Sequence, residues 1–357
     1  MRTRITDKKK NKKKIIVALS GGVDSSVAAA LLKKAGFEVE GAHMRLNGPG
    51  ESEIMVRRVC EKLEIPFHVF NFEKEFKKKV VENFLKDYES GKTPNPCVVC
   101  NKEIKFGLFM KKALSLGADF IATGHYAEKE EVKSVGSKKI SYKLRQARDD
   151  KKDQSYFLWK LNQFQLEKTL FPLKKLTKTE VRKLAKNFGL PTFNAPESQE
   201  ICFIREGLKI FLRKNLKKIR SGKVLDGRGM IIGNHNGLVF YTIGQRRGIG
   251  LSGGPYYVLS KNRKKNSLIV TKNPAELKSF DLKAFSVSWI SGQEPELPIK
   301  VRAKIRYRHK PAEAVLRKLH KKPFYGIRFF KPQSSITPGQ SVVFLKGTEI
   351  LGGGIIS

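Results

Sequence analysis

Cysteine and acidic residues are scarce in this chain of 357 residues. Its four cysteines are too few for a disulfide framework, so we expect structural, metal-binding or catalytic thiols. No apolar run approaches the roughly 18 residues that a membrane span requires. The lysine-rich N-terminus also lacks the apolar stretch of a secretory signal, so the sequence predicts a cytoplasmic protein with no membrane partner.

The shortage of acidic residues leaves a large positive charge. Only 33 Asp and Glu oppose 72 Lys and Arg, which gives a formal net charge of +39. Hydrophobic residues at 40% and aromatics at 10% are too many for a disordered tail, so the charge belongs to a folded body. Drift toward AT-rich codons is an alternative source for any single lysine. Because neutralising phosphates releases counterions, the expected partner is a nucleic acid.

The length of 357 residues predicts two to three domains. Strand and helix patterns alternate in the first part of the chain. Residues 1–14 hold eight Lys or Arg without periodicity, which predicts a flexible basic arm. The run at 15–19 is continuously apolar, as in a strand buried on both faces of a parallel sheet. Residues 15–205 are therefore predicted to form an α/β domain with a doubly wound parallel sheet. Its predicted helices are 25–35, 53–63, 75–88, 102–116 and 177–188, and its further strands 39–44, 67–72 and 120–123.

The composition changes beyond residue 205. Glycine-rich segments with short apolar runs, such as 237–243 and 255–259, predict small β units in a central domain over 206–279. Short alternating stretches separated by Gly and Pro turns then predict a small antiparallel barrel or sandwich over 280–357.

A glycine-rich turn follows the first strand and reads Ser20-Gly21-Gly22-Val23-Asp24-Ser25-Ser26. Its backbone N–H groups, with the positive end of the following helix, form an anion cradle. The turn lacks the Gly-Lys-Ser/Thr ending of a Walker A loop and the G-x-G-x-x-G of a dinucleotide fingerprint. It resembles the pyrophosphatase loop of the ATP-pyrophosphatase superfamily, whose members split ATP between its α and β phosphates.

Two other positions fit a nucleotide pocket at the carboxyl ends of the strands. Met44 ends the second strand, where a thioether can lie against adenine, although an isolated Met is also a common core residue. Gly124 and His125 follow the strand at 120–123, and a histidine there is free to reach substrate.

The cysteines occur in two segments that carry chemistry and one that does not. Thr93-Pro94-Asn95-Pro96-Cys97-Val98-Val99-Cys100 places a C-x-x-C turn ahead of a helix, whose N-terminus should lower the thiol pKa and make Cys100 a candidate thiolate. No second C-x-x-C completes a closed zinc site. The distant Ser198-Gln199-Glu200-Ile201-Cys202-Phe203-Ile204 is the other segment. Cys60 shares a helical face with Val56, Val59 and Leu63, which predicts a core position.

Six motifs in order resemble the bacterial tRNA-specific 2-thiouridylase family, from about Lys14 to the C-terminus. They are S-G-G-V-D-S-S, T-P-N-P-C-V-V-C-N-K-E-I-K-F-G, A-T-G-H-Y-A, K-D-Q-S-Y-F-L, S-Q-E-I-C-F-I and Y-T-I-G-Q-R-R-G-I-G. The resemblance implies an ATP-pyrophosphatase domain, a small central domain and a C-terminal β-barrel. It also implies thiolation of the wobble uridine of tRNAs for Lys, Glu and Gln, with ATP, Mg²⁺ shared by Asp24, and a sulfur-relay protein or cysteine desulfurase as donor.

The resemblance further assigns residues. Cys202 would carry sulfur as a persulfide, Cys100 would be the partner nucleophile that forms a disulfide with it or resolves the intermediate, and Asp24 would act in adenylation. The expected ATP-binding residues are Ala18, Leu19, Ser20, Gly21, Gly22, Val23, Asp24, Ser25, Met44 and Gly124. The expected tRNA-binding residues are Asn95, Pro96, Cys97, His125, Lys152, Asp153, Gln154, Arg306, Tyr307 and Gln340.

One departure from the family and two competing functions remain open. Many family members have Asp where this chain has Cys97, so Cys97, Cys100 and Cys202 could instead be three ligands of a [4Fe-4S] cluster with one open iron site. Another ATP-pyrophosphatase, such as a lysidine-synthetase-like ligase, would not need paired cysteines. A basic RNA-binding protein with a degenerate nucleotide site would not need an intact Ser20–Ser26 loop.

Overall fold

The computed structural model describes residues 12–133, 140–196, 201–320 and 323–357. Residues 1–11 of the predicted arm and residues 198–200 of the second cysteine segment lie outside the described residues. The first strand begins at Lys14, one residue before its predicted start at Ile15. Lys14 Nζ lies 2.8 Å from Glu40 Oε1, and its N–H donates to Asp119, so this residue belongs to the folded body.

The first domain contains the predicted doubly wound parallel sheet. The strands of this domain are β1 (Lys14–Leu19), β2 (Glu38–Arg45), β3 (Phe67–Asn71), β4 (Phe120–Thr123), β5 (Glu128–Lys133), β6 (Ile140–Arg145) and β7 (Thr169–Leu170). The parallel sheet has the order β3-β2-β1-β4-β7, so the chain reverses its winding between β1 and β4. In open α/β sheets ligands bind beside the carboxyl ends of the strands at such a point.

Helices cover both faces of this sheet. They are α1 (Val23–Lys34), α2 (Glu51–Lys62), α3 (73–89), α4 (96–115), α5 (Gln163–Glu167) and α6 (Lys178–Asn187). The predicted burial of β1 on both faces is confirmed, since Ile16 and Ala18 pack in one core and Ile15, Val17 and Leu19 pack in another. The predicted capping box at the start of α6 is also confirmed: Thr177 accepts from Glu180 N–H, and Glu180 accepts from Thr177 N–H.

The central domain contains α7 (Leu208–Asn215), β8 (Gly222–Leu225), β9 (Ile231–His235), β10 (Tyr257–Asn262) and β11 (Ser267–Thr271). Its strands form a small sheet with the order β10-β11-β8-β9. The prediction of a β unit at 237–243 is wrong, because Leu238–Phe240 forms a 3₁₀ turn. Leu238 and Tyr241 are buried there in the core of the small sheet, so the apolar run reflects packing rather than strand alternation.

The C-terminal domain is a closed antiparallel barrel. Its strands are β12 (Lys278–Trp289), β13 (Ile299–Lys304), β14 (Ala312–Lys318), β15 (Tyr325–Ser334), β16 (Ser341–Lys346) and β17 (Glu349–Ile356). Because β12 pairs with both β15 and β17, the six strands close into a barrel and not a sandwich, the two predicted alternatives. The strand β12 begins two residues before the predicted start of this domain, and the domain limits themselves stay predictions.

A hairpin of the first domain extends the barrel sheet. β5 pairs with β6, and β6 pairs with β17 through Glu349 opposite Arg145 and Ile350 opposite Leu144. The sequence did not predict this hairpin, because β5 is almost entirely polar. The pairing joins the first domain to the last.

Within the described ranges, no helix has both the length and the apolar character needed to cross a membrane.

Candidate active site

The Ser20–Ser26 loop leads from β1 into the N-terminus of α1. Gly21 has a φ of +79°, and an added Cβ would stand 3.0 Å from the backbone oxygen of Ser52, so the turn requires glycine. Gly22 is the N-cap and supplies no side chain to the first N–H groups of the helix. Those donors are available to an anion, in agreement with the cradle predicted from the sequence.

Serine hydroxyls hold this loop in shape before any ligand binds. Ser25 Oγ accepts from Ser20 N–H at 3.2 Å and lies 3.2 Å from Gly22 O, to which it can donate. Ser26 Oγ donates to the same carbonyl at 2.9 Å. Ser25 and Ser26 are both buried, so these contacts are shielded from solvent and the loop is preorganised.

Gly124 packs directly against the loop. A Cβ at this position would stand 2.6 Å from Ser25 N and 2.8 Å from Asp24 C, closer than a Cβ atom can approach backbone atoms without displacing them. The structure therefore brings the predicted Gly124 and Ser20–Ser26 together at the carboxyl ends of neighbouring strands. Met44, at the end of β2, is partly buried against two hydrophobic clusters, and its contact with adenine stays a prediction.

The Asp24 carboxylate has two partners that the sequence reasoning missed. Lys178 Nζ lies 2.7 Å from each of its oxygens, and Tyr126 donates its hydroxyl proton to Oδ1 at 2.8 Å. Lys178 is the first residue of α6, and its N–H donates to Asp149 at 2.9 Å. Tyr126 stands inside the quoted A-T-G-H-Y-A motif, and Lys178 directly follows the capping-box threonine. Those positions were the available signals.

The two cysteines of the C-x-x-C pair lie inside a helix rather than ahead of it. Pro96 is at the start of α4, and Cys97 and Cys100 belong to its first turn. The expected lowering of the Cys100 pKa is wrong, because burial raises that pKa to about 12 and outweighs the opposing Lys105 cation. Cys100 is therefore a protonated thiol in this structure.

Cys97 and Cys202 lie close enough to Cys100 to interact with it electrostatically. Both residues are exposed to solvent, yet neighbouring protein atoms raise the pKa of both thiols. Cys202 interacts electrostatically with both Cys97 and Cys100. The structure thus brings together the cysteines from two distant segments, with all four cysteines of the chain as free thiols.

Phe203 anchors the Cys202 segment in the first domain. Its ring centroid lies 5.7 Å from Phe76, 5.3 Å from Phe84 and 5.5 Å from Phe211. Phe203 packs against the same small hydrophobic cluster that contains Cys100. By contrast, the core position predicted for Cys60 is confirmed: it is 1% exposed, and burial raises its pKa to about 12.

The Lys105 cation acts on Cys97, Cys100 and Cys202, and the sequence reasoning missed it. After burial, its positive charge is the next influence on the pKa of Cys97, Cys100 and Cys202, and it opposes the rise caused by burial. The segment Asn101–Phe109 of α4 is π-helical, a geometry that places residues five apart on adjacent turns. Lys105 thereby follows Cys100 by one turn.

His125 is not free to reach substrate as expected. The side chain is buried, its Nδ1 lies 2.9 Å from Thr123 Oγ1, and its ring packs beside Phe106 and Phe171. Burial, followed by the Lys105 charge, holds its pKa well below the usual value of 6.5. The imidazole is therefore neutral, and its contact with tRNA stays a prediction.

Asp153 and Gln154 have internal partners instead of an exposed position. Asp153 is 2% exposed and accepts from Ala147 N–H, Ser155 N–H and the Ser155 hydroxyl. Gln154 Oε1 accepts from Tyr126 N–H at 3.1 Å. The Asp153 carboxylate satisfies these buried donors, and its contact with tRNA stays a prediction. Lys152 is half-buried in the same turn, and its tRNA contact stays a prediction.

The barrel residues meet the loop that precedes Cys97. Gln340 Nε2 donates to Thr93 O at 2.8 Å and lies 3.3 Å from Pro94 O, while Thr93 N–H donates to Pro338 O. Asn95 is hydrogen-bonded to the Tyr156 hydroxyl. Gln340 thus positions the loop that holds Asn95, Pro96 and Cys97, and this role had no sequence signal.

Arg306 and Tyr307 lie just beyond the end of β13. Arg306 Nη2 donates to Ser334 O at 2.9 Å. The Tyr307 ring lies 4.5 Å from that of Phe157, and Lys304 Nζ lies 5.7 Å from the Tyr307 centroid. Burial raises the pKa of Tyr307, so its hydroxyl keeps its proton as a donor. Both residues are half-buried, and their tRNA contacts stay predictions.

Asp24 at the nucleotide loop is suited to hold Mg²⁺, whereas the three cysteines are not arranged as ligands of an iron–sulfur cluster. Asp24 offers one carboxylate beside the anion cradle, and Mg²⁺ usually takes one or two carboxylates together with substrate phosphates and water. In the part of the chain that the structure describes, no three His, Cys, Asp or Glu side chains are grouped to hold a metal ion. The cluster on Cys97, Cys100 and Cys202 therefore has no structural support.

Comparisons with known proteins agree with this arrangement. A family model described as the tRNA methyl transferase HUP domain matches residues 13–206, the tRNA methyl transferase PRC-barrel domain matches 209–272, and the Aminomethyltransferase beta-barrel domain matches 279–356. The tRNA-specific 2-thiouridylase MnmA 2 of Clostridium tetani is 44% identical over 350 residues, which cover 94% of this chain and 96% of that protein. The tRNA-specific 2-thiouridylase MnmA of Halothermothrix orenii is 45% identical with the same coverage. The chain belongs to the tRNA-specific 2-thiouridylase family, as its six motifs predicted.

Proposed function

We propose that this chain uses ATP to replace the C2 oxygen of the wobble uridine of tRNA with sulfur, and that it releases AMP and pyrophosphate. The observation that carries the proposal is the convergence of Cys100 and Cys202 beside one cation, Lys105, which also acts on His125 next to the nucleotide loop. A lysidine-synthetase-like ligase has no use for that pair. A protein that only binds RNA has no use for a preorganised Ser20–Ser26 loop.

The first step activates an unreactive carbonyl. The uracil C2 oxygen attacks the α-phosphorus of ATP, pyrophosphate leaves, and the oxygen becomes part of an AMP leaving group. The N–H groups at the start of α1 would bind the departing pyrophosphate. Asp24 would hold Mg²⁺, which neutralises phosphate charge, and it would exchange its contact with Lys178 for contacts within the bound Mg–ATP.

The second step transfers sulfur from a persulfide on Cys202. In one route, the Cys100 thiolate attacks Cys202 Sγ, which forms the Cys100–Cys202 disulfide and expels hydrosulfide. Hydrosulfide then adds to C2, and AMP leaves. In the other route, the terminal persulfide sulfur attacks C2, AMP leaves, and Cys100 then cleaves the sulfur–sulfur bond to give the same disulfide and the 2-thiouridine. Both routes end with a disulfide that an external thiol must reduce.

The substrate and donor follow from the same assignment. The acceptors would be tRNAs for Lys, Glu and Gln, bound by the basic surface and the Asn95–Cys97 loop. A sulfur-relay protein or cysteine desulfurase would load Cys202, whose side chain is open to solvent. The net charge of +39 supports RNA as the partner.

The test combines ATP cleavage with analysis of the wobble nucleoside. With tRNA and a persulfide donor, the wild-type chain should form AMP, pyrophosphate and 2-thiouridine, and formation of ADP would contradict the proposal. Cys100→Ser and Cys202→Ser should each abolish thiolation, whereas Cys60→Ala should retain it per folded molecule. Asp24→Ala should abolish adenylation and leave tRNA affinity largely intact. Cys97→Ser should stay active by the persulfide route. Loss of thiolation in this variant, together with stoichiometric iron in the wild-type protein, would favour a cluster.

A further inference from the structure

The Y-T-I-G-Q-R-R-G-I-G motif has no role in the reaction described above, yet it lies where the three domains meet. Thr242 Oγ1 of this motif lies 3.2 Å from Thr93 Oγ1, at the start of the loop that leads to Cys97. Gly244 faces the barrel so closely that an added Cβ would stand 2.2 Å from Ser335 Oγ. The motif therefore stands against both the cysteine-bearing domain and the barrel.

Hydrogen bonds hold the backbone of this motif in a fixed shape. Gln245 Oε1 accepts from Thr242 N–H at 3.0 Å, and Gln245 Nε2 donates to Arg247 O at 3.0 Å. Gly244 N–H donates to Val258 O on β10 at 2.8 Å. Residues attached to this backbone are consequently displayed from a rigid support, which lowers the entropy cost of binding a ligand.

Two adjacent arginines project from this support without a counterion. Arg246 and Arg247 are exposed, and no acidic side chain in the described ranges pairs with either. Lys209 adds a third cation, because its Nζ lies 3.5 Å from the place where a Cβ of Gly248 would stand. We call Arg246, Arg247 and Lys209 the basic patch.

The basic patch is connected to the Cys202 segment as well as to Cys97. Lys209 belongs to α7, which begins six residues after Cys202. The side chains of α7 and of the 3₁₀ turn before the motif share one hydrophobic cluster with Phe84. The patch thus flanks both cysteine segments without belonging to the thiols or to the nucleotide loop.

We propose that the basic patch binds phosphate groups of the RNA strand that carries the nucleotide being modified. Arginine suits this ligand because its planar guanidinium donates two parallel hydrogen bonds to phosphate oxygens. Phosphates held there would fix the strand beside Cys97 and Cys202 while the base reaches them. The inference rests on the proposed function, because it takes tRNA as the substrate.

The experiment compares charge-matched variants in tRNA binding. Kd for an unmodified tRNA transcript with a wobble uridine is measured between 50 and 200 mM salt for the wild type and for Arg246→Gln/Arg247→Gln. Loss of two phosphate contacts should lower the slope of log K against log salt by about 1.4 to 1.8 and weaken binding about tenfold at the lower salt. Arg246→Lys/Arg247→Lys should retain most of the slope. Thermal unfolding of each variant reports whether it is folded.

The matched control is Lys183→Gln/Lys186→Gln, which removes the same charge from exposed positions of α6. An equal loss of slope in this control would show an effect of net charge alone and would overturn the inference. An unchanged slope in the arginine variant would also overturn it. So would normal tRNA binding with thiolation lost only when a protein donor replaces inorganic sulfide, because the patch would then serve the donor. If the wild type itself bound tRNA weakly and without salt dependence, the proposed function would fail instead.

Discussion

At the scale of single residues, the reactivity of Cys97, Cys100 and Cys202 depends on a balance between burial and one cation, Lys105. Burial raises the pKa of Cys100 to about 12, and Lys105 is the positive charge that limits this rise. Lys79 on α3 and Glu103 on α4 form an ion pair at 2.7 Å, and His125 is uncharged. Lys105 is therefore the cation that stabilises a thiolate, or a persulfide anion, at these cysteines.

Lys105→Gln should make these cysteines less acidic. Because a positive charge favours the thiolate, its loss raises the thiol pKa, and the alkylation rate at any pH below that value falls, by about tenfold for a shift of one unit. The wild-type rate itself should keep rising with pH through the neutral and alkaline range. The measurement is the pH profile of iodoacetamide labelling of Cys97, Cys100 and Cys202, resolved by peptide mass spectrometry.

Two variants and one internal reference control this measurement. Lys105→Arg keeps the charge and should restore the profile, and Lys102→Gln removes an exposed charge three residues away that does not act on the thiols. Cys60 is buried in the core, so its protection from label reports an intact fold. Identical profiles for Lys105→Gln and the wild type would show that burial alone sets the reactivity.

At the scale of elements, the site depends on two backbones that touch. The segment after β4 approaches the start of α1 so closely that Gly124 has no room for a side chain. This contact fixes the height of the Ser20–Ser26 loop above the sheet, and with it the direction of the N–H groups that would bind pyrophosphate.

Gly124→Ala should weaken ATP binding. A Cβ 2.6 Å from Ser25 N forces the loop to move, and overpacking of this kind costs about 1 to 3 kcal/mol, which corresponds to roughly a 5- to 150-fold loss of affinity. Titration calorimetry with ATP measures the loss, while tRNA binding should be retained. Gly227→Ala is the control, since its nearest atom would be 3.9 Å away, an ordinary contact. Equal ATP affinity in both variants would contradict this account of the loop.

At the scale of the whole molecule, the loop at 93–97 is shaped by all three domains. The first domain carries it, the central domain contacts it through Thr242, and the barrel holds it through Pro338 and Gln340. The pairing of β6 with β17 fixes the barrel to the first domain on another edge. The barrel is thus part of the support of the loop that carries Cys97.

Gln340→Leu should impair thiolation although Gln340 touches no cysteine. The variant keeps the approximate size of the side chain but loses the hydrogen bonds to Thr93 O and Pro94 O, so the loop that carries Cys97 is held less well. Misplacement of reacting groups should lower kcat/KM for tRNA about tenfold or more. Gln333→Leu is the matched control, because its amide donates only to nearby Lys331 O in the same barrel. Equal effects of the two variants would indicate general damage to the barrel.

The sequence by itself determined the parts that depend on local pattern. The continuous apolar run of β1, the glycine turn after it and the capping box of α6 are encoded by neighbouring residues, and each appears where predicted, with β1 beginning one residue earlier. The order of six motifs determined the family. Helical spacing was sufficient to place Cys60 in the core, because a buried helix face repeats within a few residues.

Only the tertiary structure decided what lies between distant segments. Burial raises the pKa of Cys100 against the effect of Lys105, Asp153 accepts hydrogen bonds from buried donors, and Lys178 reaches Asp24 from a helix far along the chain. The polar hairpin β5–β6 pairs with β17 of the barrel, a strand that follows it by some two hundred residues. Desolvation and long-range pairing depend on which surfaces meet, and local sequence carries no record of those surfaces.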